Sequence, residues 1–336
     1  PRPPIPVIPS SSTRTLYVMA RPGDQPGVDP GPSAMAAGEG LGGLDLPPSL
    51  AASCPVHAIK VHFPYRISRY GRRMREEVVE QAVNVSRELE GRAAAMGHGF
   101  AILREVLGVS HKNLEPDSPR GENWGFVVRD MLPFPLLPGE VRLIPGFALY
   151  GSDLHDPTHP PLVLELMGDA DPVDYLLENV LLPIIRHWVR CFGEAGFMLE
   201  PHGQNVLLET DGDGKVRRIV HRDLSPGIDM RRRRDLGLDS SELNDYNRME
   251  DGRFASIAYD KMMGGHFFER LLLPVLEAFP SADAEDFRGP CREEFARLFP
   301  EHADYLPRTI HYFSEKRDEF GKPLFEDTEK IPAWRP

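Results

Sequence analysis

Glu200, His202, Gln204 and Asn205 stand in one short polar segment, Glu200-Pro-His-Gly-Gln-Asn205, and His221-Arg-Asp-Leu224 follows further along the chain. Together they offer an imidazole, two amides and the carboxylates of Glu200 and Asp223. An amide oxygen and a carboxylate, here Asn205 and Asp223, are hard ligands suited to Mg2+, an ion that keeps several waters and usually arrives with substrate phosphates. Taken singly, each residue could simply cap a strand end or sit on the surface. Their grouping is the informative observation.

The elements that must position them read as one β-hairpin. Val206-Leu-Leu-Glu209 and Val216-Arg-Arg-Ile-Val220 are short strand candidates. Thr210-Asp-Gly-Asp-Gly-Lys215 between them is turn chemistry, with two Asp-Gly steps able to supply positive φ angles. A hairpin folded about Gly212 sets residues near 202–205 across from residues near 220–223. His202, Gln204, Asn205 and Asp223 then share its open end.

Composition bounds the rest. A chain of 336 residues can hold two ordinary domains, and 41% hydrophobic content supports real cores. The formal net charge of −12 argues against nucleic-acid or anionic-membrane partners. Cys54, Cys191 and Cys291 are widely spaced and suit a reducing compartment. No apolar run is long enough to span a membrane, and the opening Pro-Arg-Pro-Pro-Ile-Pro lacks signal-peptide character. The chain therefore reads as cytoplasmic and, lacking an initiator Met, as a fragment.

Residues 21–53 are rich in Gly, Pro and Ala, with no periodicity, and read as a flexible insertion. The pattern predicts a strand at 57–68, a helix from Met74 to Met96, and strands at 97–109, 123–131 and 141–150. Leu177, Leu181, Ile184, Ile185, Trp188 and Phe192 line one face of a long helix that glycine stops near 193–196, with Pro183 placed to kink it. Residues 224–252 read as a polar, arginine-rich loop, and helices are expected over 254–279, 284–298 and 303–320. Strands first and helices later give an α+β, two-lobed fold, divided as 1–135 and 136–336.

Three blocks carry a family resemblance: Ser11-Ser-Thr-Arg-Thr-Leu16, Ile59-Lys-Val-His-Phe-Pro-Tyr-Arg-Ile-Ser-Arg-Tyr-Gly-Arg72, and Glu200-Pro-His-Gly-Gln-Asn205 with Arg222-Asp223. Their order and content resemble the siderophore synthetases that work without a nonribosomal peptide synthetase, the aerobactin-synthetase-like (IucA/IucC) family. His62 stands where that family more often has a small hydroxyl residue. The resemblance implies an ATP-binding fingers domain, a palm domain built on the hairpin, and a ligase. That ligase would adenylate a citrate-like carboxylic acid with ATP and Mg2+ and join it to an amine, polyamine or hydroxylamine. By the same resemblance Ser12, Arg14, Thr15 and Lys60 contact ATP, with Gln204 and Glu200 also on the nucleotide side. Arg72 and His202 grip the acid, and Asn205 and Asp223 hold the metal. A homodimer is a compatible assembly. The family's N-terminal thumb domain and its His-Pro-x-His-Pro-x-x-Lys motif are not in this sequence, and Asp156-Pro-Thr-His-Pro160 reads as a surface turn rather than that motif.

Several assignments stay open on sequence alone. Ser10 or Ser11 could serve for Ser12, and Arg73 for Arg72; Arg66 and Arg69 could be solvated or bound. Arg231–Arg234 reads most simply as an exposed loop, otherwise as an anion gate. Asp235, Asp239 and Glu242 are candidate partners for a polyamine. His62, His221 and His266 read as structural or surface residues, and Tyr259 and Asp260 as packing. Two other functions compete. One is a phosphotransferase of the aminoglycoside or choline kinase type, against which the Asp expected soon after His-Gly is missing. The other is a truncated, non-catalytic nucleotide-binding paralogue.

Overall fold

The protein is described here by a computed structural model covering residues 7–9, 15–19, 55–63, 66–67, 70–71, 74–110, 125–153, 155–318 and 323–336. The expected insertion at 21–53 lies outside the described residues. The chain divides into two compact units, Pro1–Val83 with Arg104–Leu132, and Asn84–Leu103 with Pro133–Pro336.

The first unit contains β1 (Val7–Pro9), β2 (Thr15–Met19), β3 (Pro55–Val61) and the small pair β4 (Arg66–Ile67) and β5 (Tyr70–Gly71). Helix α1 (Glu76–Ala93), β6 (Phe100–Ser110) and β7 (Gly125–Phe134) follow in the chain. The strands run in the order β1-β2-β3-β7-β6. Helix α1 opens on Glu76 and Glu77 and closes on Arg92, charges that complement its dipole. Its Val79 is buried and sits directly on the strands. A Cβ added at Gly108 would come 2.5 Å, and one at Gly125 2.9 Å, from the Val79 side chain. Those glycines are what let the helix approach. Within the same unit Arg129 and Glu105 form a buried ion pair, Nη2 to Oε1 2.6 Å.

The second unit takes the start of β6 and adds β8 (Arg142–Pro145), where the strand expected through 150 gives way to a 3-10 turn at Gly146–Leu149. Gly146 lies against the Phe267 ring, 2.5 Å from where a Cβ would stand, so no side chain fits there. Helices α2 (Leu162–Met167), α3 (Pro172–Leu176) and α4 (Leu182–Ala195) come next, α3 and α4 being continuous through a wide π-helical turn at Leu177–Leu181. Asp171 caps the start, accepting from the Val173 and Asp174 amides. Gly196 ends α4 at φ +68, and its missing side chain leaves room for Arg233 Cγ.

Strands β9 (Phe197–Met198), β10 (Val206–Thr210), β11 (Val216–His221) and β12 (Gly227–Asp229) follow, then α5 (Met230–Asp235) and β13 (Arg248–Met249). Strands β6, β11, β10 and β8 lie side by side, β11 parallel to β6 and antiparallel to β10, while β13-β12-β9 make a separate small sheet. Residues 224–252 are thus not the loop that their polarity suggests. Asp229 accepts from the Arg232 amide and caps a helix made of the arginine run itself.

Helix α6 (Arg253–Ser256) runs through a π-helical stretch, Ile257–Phe268, into α7 (Glu269–Ala278). Helices α8 (Ala284–Leu298) and α9 (His302–Tyr305) then lead to the hairpin β14 (His311–Arg317) and β15 (Pro323–Asp327). The helix expected over 303–320 is instead the end of a short helix, an irregular link and the strand His311–Arg317. Pro307 holds Leu306 extended, at ψ 139, and helix cannot continue through it.

Trp188, Phe192, Tyr259, Phe295 and Phe299 form the aromatic centre of the core, Tyr259 meeting Trp188 edge-on at 5.1 Å. Next to Tyr259, Asp260 is buried and receives Arg335 Nε at 2.9 Å and Ser256 Oγ at 2.6 Å. Burial pushes the Asp260 carboxyl up while Arg335 opposes the shift. Trp334 fits over Gly264, whose Cβ would stand 2.5 Å from the indole. Arg335→Ala would leave Asp260 buried without its cation and is expected to cost roughly 3–5 kcal/mol, read as a lower midpoint in urea unfolding; an unchanged midpoint would contradict this anchoring role.

Candidate active site

In the second unit, β10 is buried from end to end, and its register with β11 pairs Val206 with His221 and Leu208 with Ile219. The ladder continues one step past the strands, because the Arg222 amide donates to the Asn205 carbonyl at 2.9 Å. Residues 204–205 and 222–223 therefore share the open end. At the other end Asp211 builds the turn, its carboxylate accepting from the Asp213 amide at 3.1 Å and the Lys215 amide at 2.9 Å. Gly214 takes the positive φ there, at +83, and Gly212 does not.

The polar segment before β10 folds into a tight, internally bonded turn. The His202 amide donates to the Glu200 carbonyl at 2.9 Å, and the Asn205 and Val206 amides both donate to the His202 carbonyl, at 2.9 and 3.1 Å. Gly203 allows the fit: a Cβ there would lie 2.8 Å from Tyr150 Oη and 2.9 Å from the Phe147 amide nitrogen, which donates to the Gly203 carbonyl. Arg222 Nε reaches back to the Gln204 carbonyl at 2.8 Å and ties the turn to β11. Nothing in the residue types marked Phe147 or Tyr150 for these positions, and Arg222 stood out only as the neighbour of Asp223. The glycine after His202 was the one readable signal of a close approach.

Asn205 is buried and donates Nδ2 to the Glu200 carbonyl at 3.2 Å, which leaves Oδ1 as the atom an ion could use. Asp223 has φ +71, a backbone conformation that costs an ordinary residue roughly 1 kcal/mol or more. Strand alternation would turn residue 223 to the opposite face from 222 and 205; the left-handed backbone releases the Asp223 side chain from that rule. The pair is a hard donor set of the kind that holds Mg2+ jointly with phosphate oxygens. Among the described residues no group of three or more His, Cys, Asp or Glu could hold a metal by itself. His202 is partly exposed; its Nδ1 accepts from the Gln204 amide at 3.3 Å, which places the ring proton on Nε2, 4.0 Å from Glu200 Oε2. Gln204 is exposed.

Beneath the site His221 is buried and lies roughly parallel to His187, ring centroids 6.1 Å apart. His187 also stacks on Phe100 at 4.3 Å, and its Nε2 bonds the Ala101 carbonyl at 2.9 Å. His266 is exposed and edge-on to Tyr312, and partial desolvation lowers its basicity.

The first unit holds the remaining predicted residues. The β2–β3 register pairs Thr15 with Lys60, so the two share a face of the sheet, and both are buried. Lys60 is also opposite Val127 on β7, two residues from Arg129 on the same face. Met74 donates its amide to His62 Nδ1 at 3.2 Å, a structural role for that imidazole. Ser12, Arg14 and Arg72, with the alternatives Ser10, Ser11, Arg69 and Arg73, lie outside the described residues. Arg66 is placed in β4 by its backbone alone.

One reading is corrected. The arginine run is a helix rather than an open loop, with Arg231 and Arg234 exposed on it. Arg233 is fully buried, bonding Glu88 and the carbonyls of Ala195 and Asp239, Arg232 holds the Gly193 carbonyl, and Arg234 pairs with Glu250 at 2.8 Å. Of the acids offered for a polyamine, Asp235 accepts from Tyr305 Oη at 2.7 Å, and Asp239 accepts from the Ser241 amide and hydroxyl, which hold its carboxyl below the usual range. Glu242 is exposed.

No family model matches the sequence, and no curated protein matches it. Solved structures do match its fold. The petrobactin biosynthesis protein AsbB from Bacillus anthracis str. Sterne superposes with a TM-score of 0.57 at 17% identity, over 74% of this chain and 43% of that one. The fold is that of the aerobactin synthetases. ATP-bound aerobactin synthetase IucA from a hypervirulent pathotype of Klebsiella pneumoniae matches with a TM-score of 0.55 at 14% identity, over 76% of this chain and 47% of IucA. A second IucA structure from the same source covers 99% of this chain and 55% of its own length, TM-score 0.59 at 11% identity. The chain spans about half the length of these siderophore synthetases, at identities of 11–17%. Among the described residues no helix is long and apolar enough to cross a membrane.

Two outcomes follow from this geometry. Gly203→Ala should disturb the turn and lower the melting temperature, since backbone and not only a flexible side chain stands in the way; an unchanged melt would show the turn can yield. His187 is held at a pKa of about 4 by burial, against an ordinary 6.5. A depressed histidine contributes stability that is complete above pH 6.5 and lost as pH falls toward 4, here roughly 3 kcal/mol in all. His187→Gln should flatten unfolding stability against pH in that window by about one proton, and identical slopes would refute it.

Proposed function

We propose that the chain is the fingers-and-palm part of a siderophore synthetase, an ATP- and Mg2+-dependent ligase that joins a citrate-type carboxylic acid to an amine, polyamine or hydroxylamine. The observation that carries this reading is the shared fold of solved siderophore synthetases together with the glycine-permitted turn that gathers Glu200, His202, Gln204 and Asn205 beside Asp223.

Activating a carboxylate with ATP brings anions together, so the site must supply fixed positive charge and exclude water. Ser12, Arg14, Thr15 and Lys60 would hold the phosphates, with Gln204 and Glu200 orienting the nucleotide. Arg72 would grip the acid through its two-pronged guanidinium, and His202 would orient it with the Nε2 proton. Asn205 Oδ1 and the Asp223 carboxylate would hold Mg2+, whose chemistry when bound is to neutralise phosphate charge. The acid's carboxylate oxygen would attack the α-phosphorus, forming an acyl adenylate and releasing pyrophosphate. The amine nitrogen would then attack the acyl carbon, expelling AMP and losing its proton.

Product analysis with citrate and hydroxylamine tests the reaction: AMP and pyrophosphate are expected, whereas ADP and orthophosphate would replace the ligase by a kinase. Asp223→Asn should lower turnover at least about 100-fold, the upper end of what losing even an outer-shell partner of a metal costs. Asp211→Asn should change it little, because Asn builds the same turn. Equal losses would remove Asp223 from the metal.

A further inference from the structure

Helix α4 and the first residues of β11, with Gly99, enclose a cavity of about 230 Å3. Arg186, Arg190, Arg217 and Arg218 line it against one lining carboxylate, the exposed Glu178. Three of the arginines that line it each have a partner elsewhere. Arg186 Nε meets Glu294 at 2.5 Å, Arg190 Nη1 bonds the Met96 carbonyl, and Arg217 Nη1 lies 3.9 Å from Glu209.

Arg218 is different. Its Nε donates to Glu209 Oε2 at 2.6 Å and its Nη2 to the Pro135 carbonyl at 2.5 Å. Its side chain is 1% exposed, and Nη1 is buried with no hydrogen-bond partner. A buried donor left unmatched costs about 1–3 kcal/mol, more when it is charged, so an acceptor entering this cavity would be favoured. Glu209 Oε1 is also without a hydrogen bond, and a water bridging the two is the competing occupant.

The cavity holds the volume of roughly seven waters, enough for phosphate, pyrophosphate or a small carboxylic acid. The candidate active-site residues at 222–223 are at the other end of β11, about 15 Å from Arg218 at 3.3 Å per residue. We propose that this cavity is a separate binding site for a small oxyanion, a phosphate or carboxylate group seated on Arg218 Nη1 and the neighbouring guanidinium forks. The site does not rest on the synthetase reading.

Isothermal titration calorimetry of the whole chain with inorganic phosphate, pyrophosphate and citrate, each alone and without ATP, tests it and separates the two chemistries. One saturable site is expected for at least one anion. The double variant Arg186→Gln/Arg217→Gln should weaken it at least about tenfold, by loss of charge-assisted bonds. Arg297 still holds Glu294 in that variant, at 2.8 Å. Gly99→Leu should weaken it comparably by filling space, since a Cβ there meets nothing within 4 Å and the fold need not move. Matching thermal melts keep both variants interpretable. Asp223→Asn should leave the affinity unchanged. Absence of saturable binding for all three probes, full affinity in both cavity variants, or an equal loss in Asp223→Asn would each overturn the proposal.

Discussion

Every peptide group of β10 must be satisfied inside the protein, because the strand is buried from Val206 to Thr210. That requirement fixes its register against β11 on one side and β8 on the other. A slip of one residue would send Leu208 and Ile219 out of the core. The open end inherits this rigidity. The turn before β10 is bonded through its own carbonyls, clamped by Arg222, and pressed against Phe147 and Tyr150 where only glycine fits. A polar cluster held this way keeps its geometry without a ligand, which is what preorganised charge stabilisation demands.

Buried ion pairs take over where apolar packing ends. Glu209 and Arg218 meet on the hairpin, Asp260 and Arg335 fix the end of the chain, and Arg233 crosses from α5 to Glu88 and to the carbonyl at the end of α4. Such pairs add little net stability against well-packed apolar residues, yet removing one partner is costly. Arg233 also explains Gly196: the left-handed backbone ends α4, and the absent side chain admits the arginine stem. The arginine-rich segment thereby serves the core.

The fold and the candidate site support each other in one specific respect. Siderophore synthetases of known structure share the arrangement of strands and helices at identities of 11–17%. In this chain that arrangement brings residues 204–205, residues 222–223 and the tight turn that carries His202 to one hairpin end. Asp223 is the point of strain in that end. Its backbone is left-handed, at φ +71, a conformation that a non-glycine residue holds only where its surroundings impose it.

Local sequence determined much of this. Apolar runs flanking Asp-Gly steps specify the hairpin, the stripe from Leu177 to Phe192 specifies the long helix, and Gly196 its end, because these signals depend on residues near in the chain. That residues 204–205 face residues 222–223 followed from hairpin symmetry alone. Tertiary structure decided the rest. Polarity misread Arg233, since a guanidinium buries readily once distant carboxylates and carbonyls surround it, and Glu88 is far away in sequence. The expected helix over 303–320 failed at Pro307, and the strand at 311–317 exists only because Pro323–Asp327 returns to pair with it. The cavity beside Arg218 could not be read from the chain either. A void is made by what neighbouring elements leave unfilled, and no single segment of sequence encodes it.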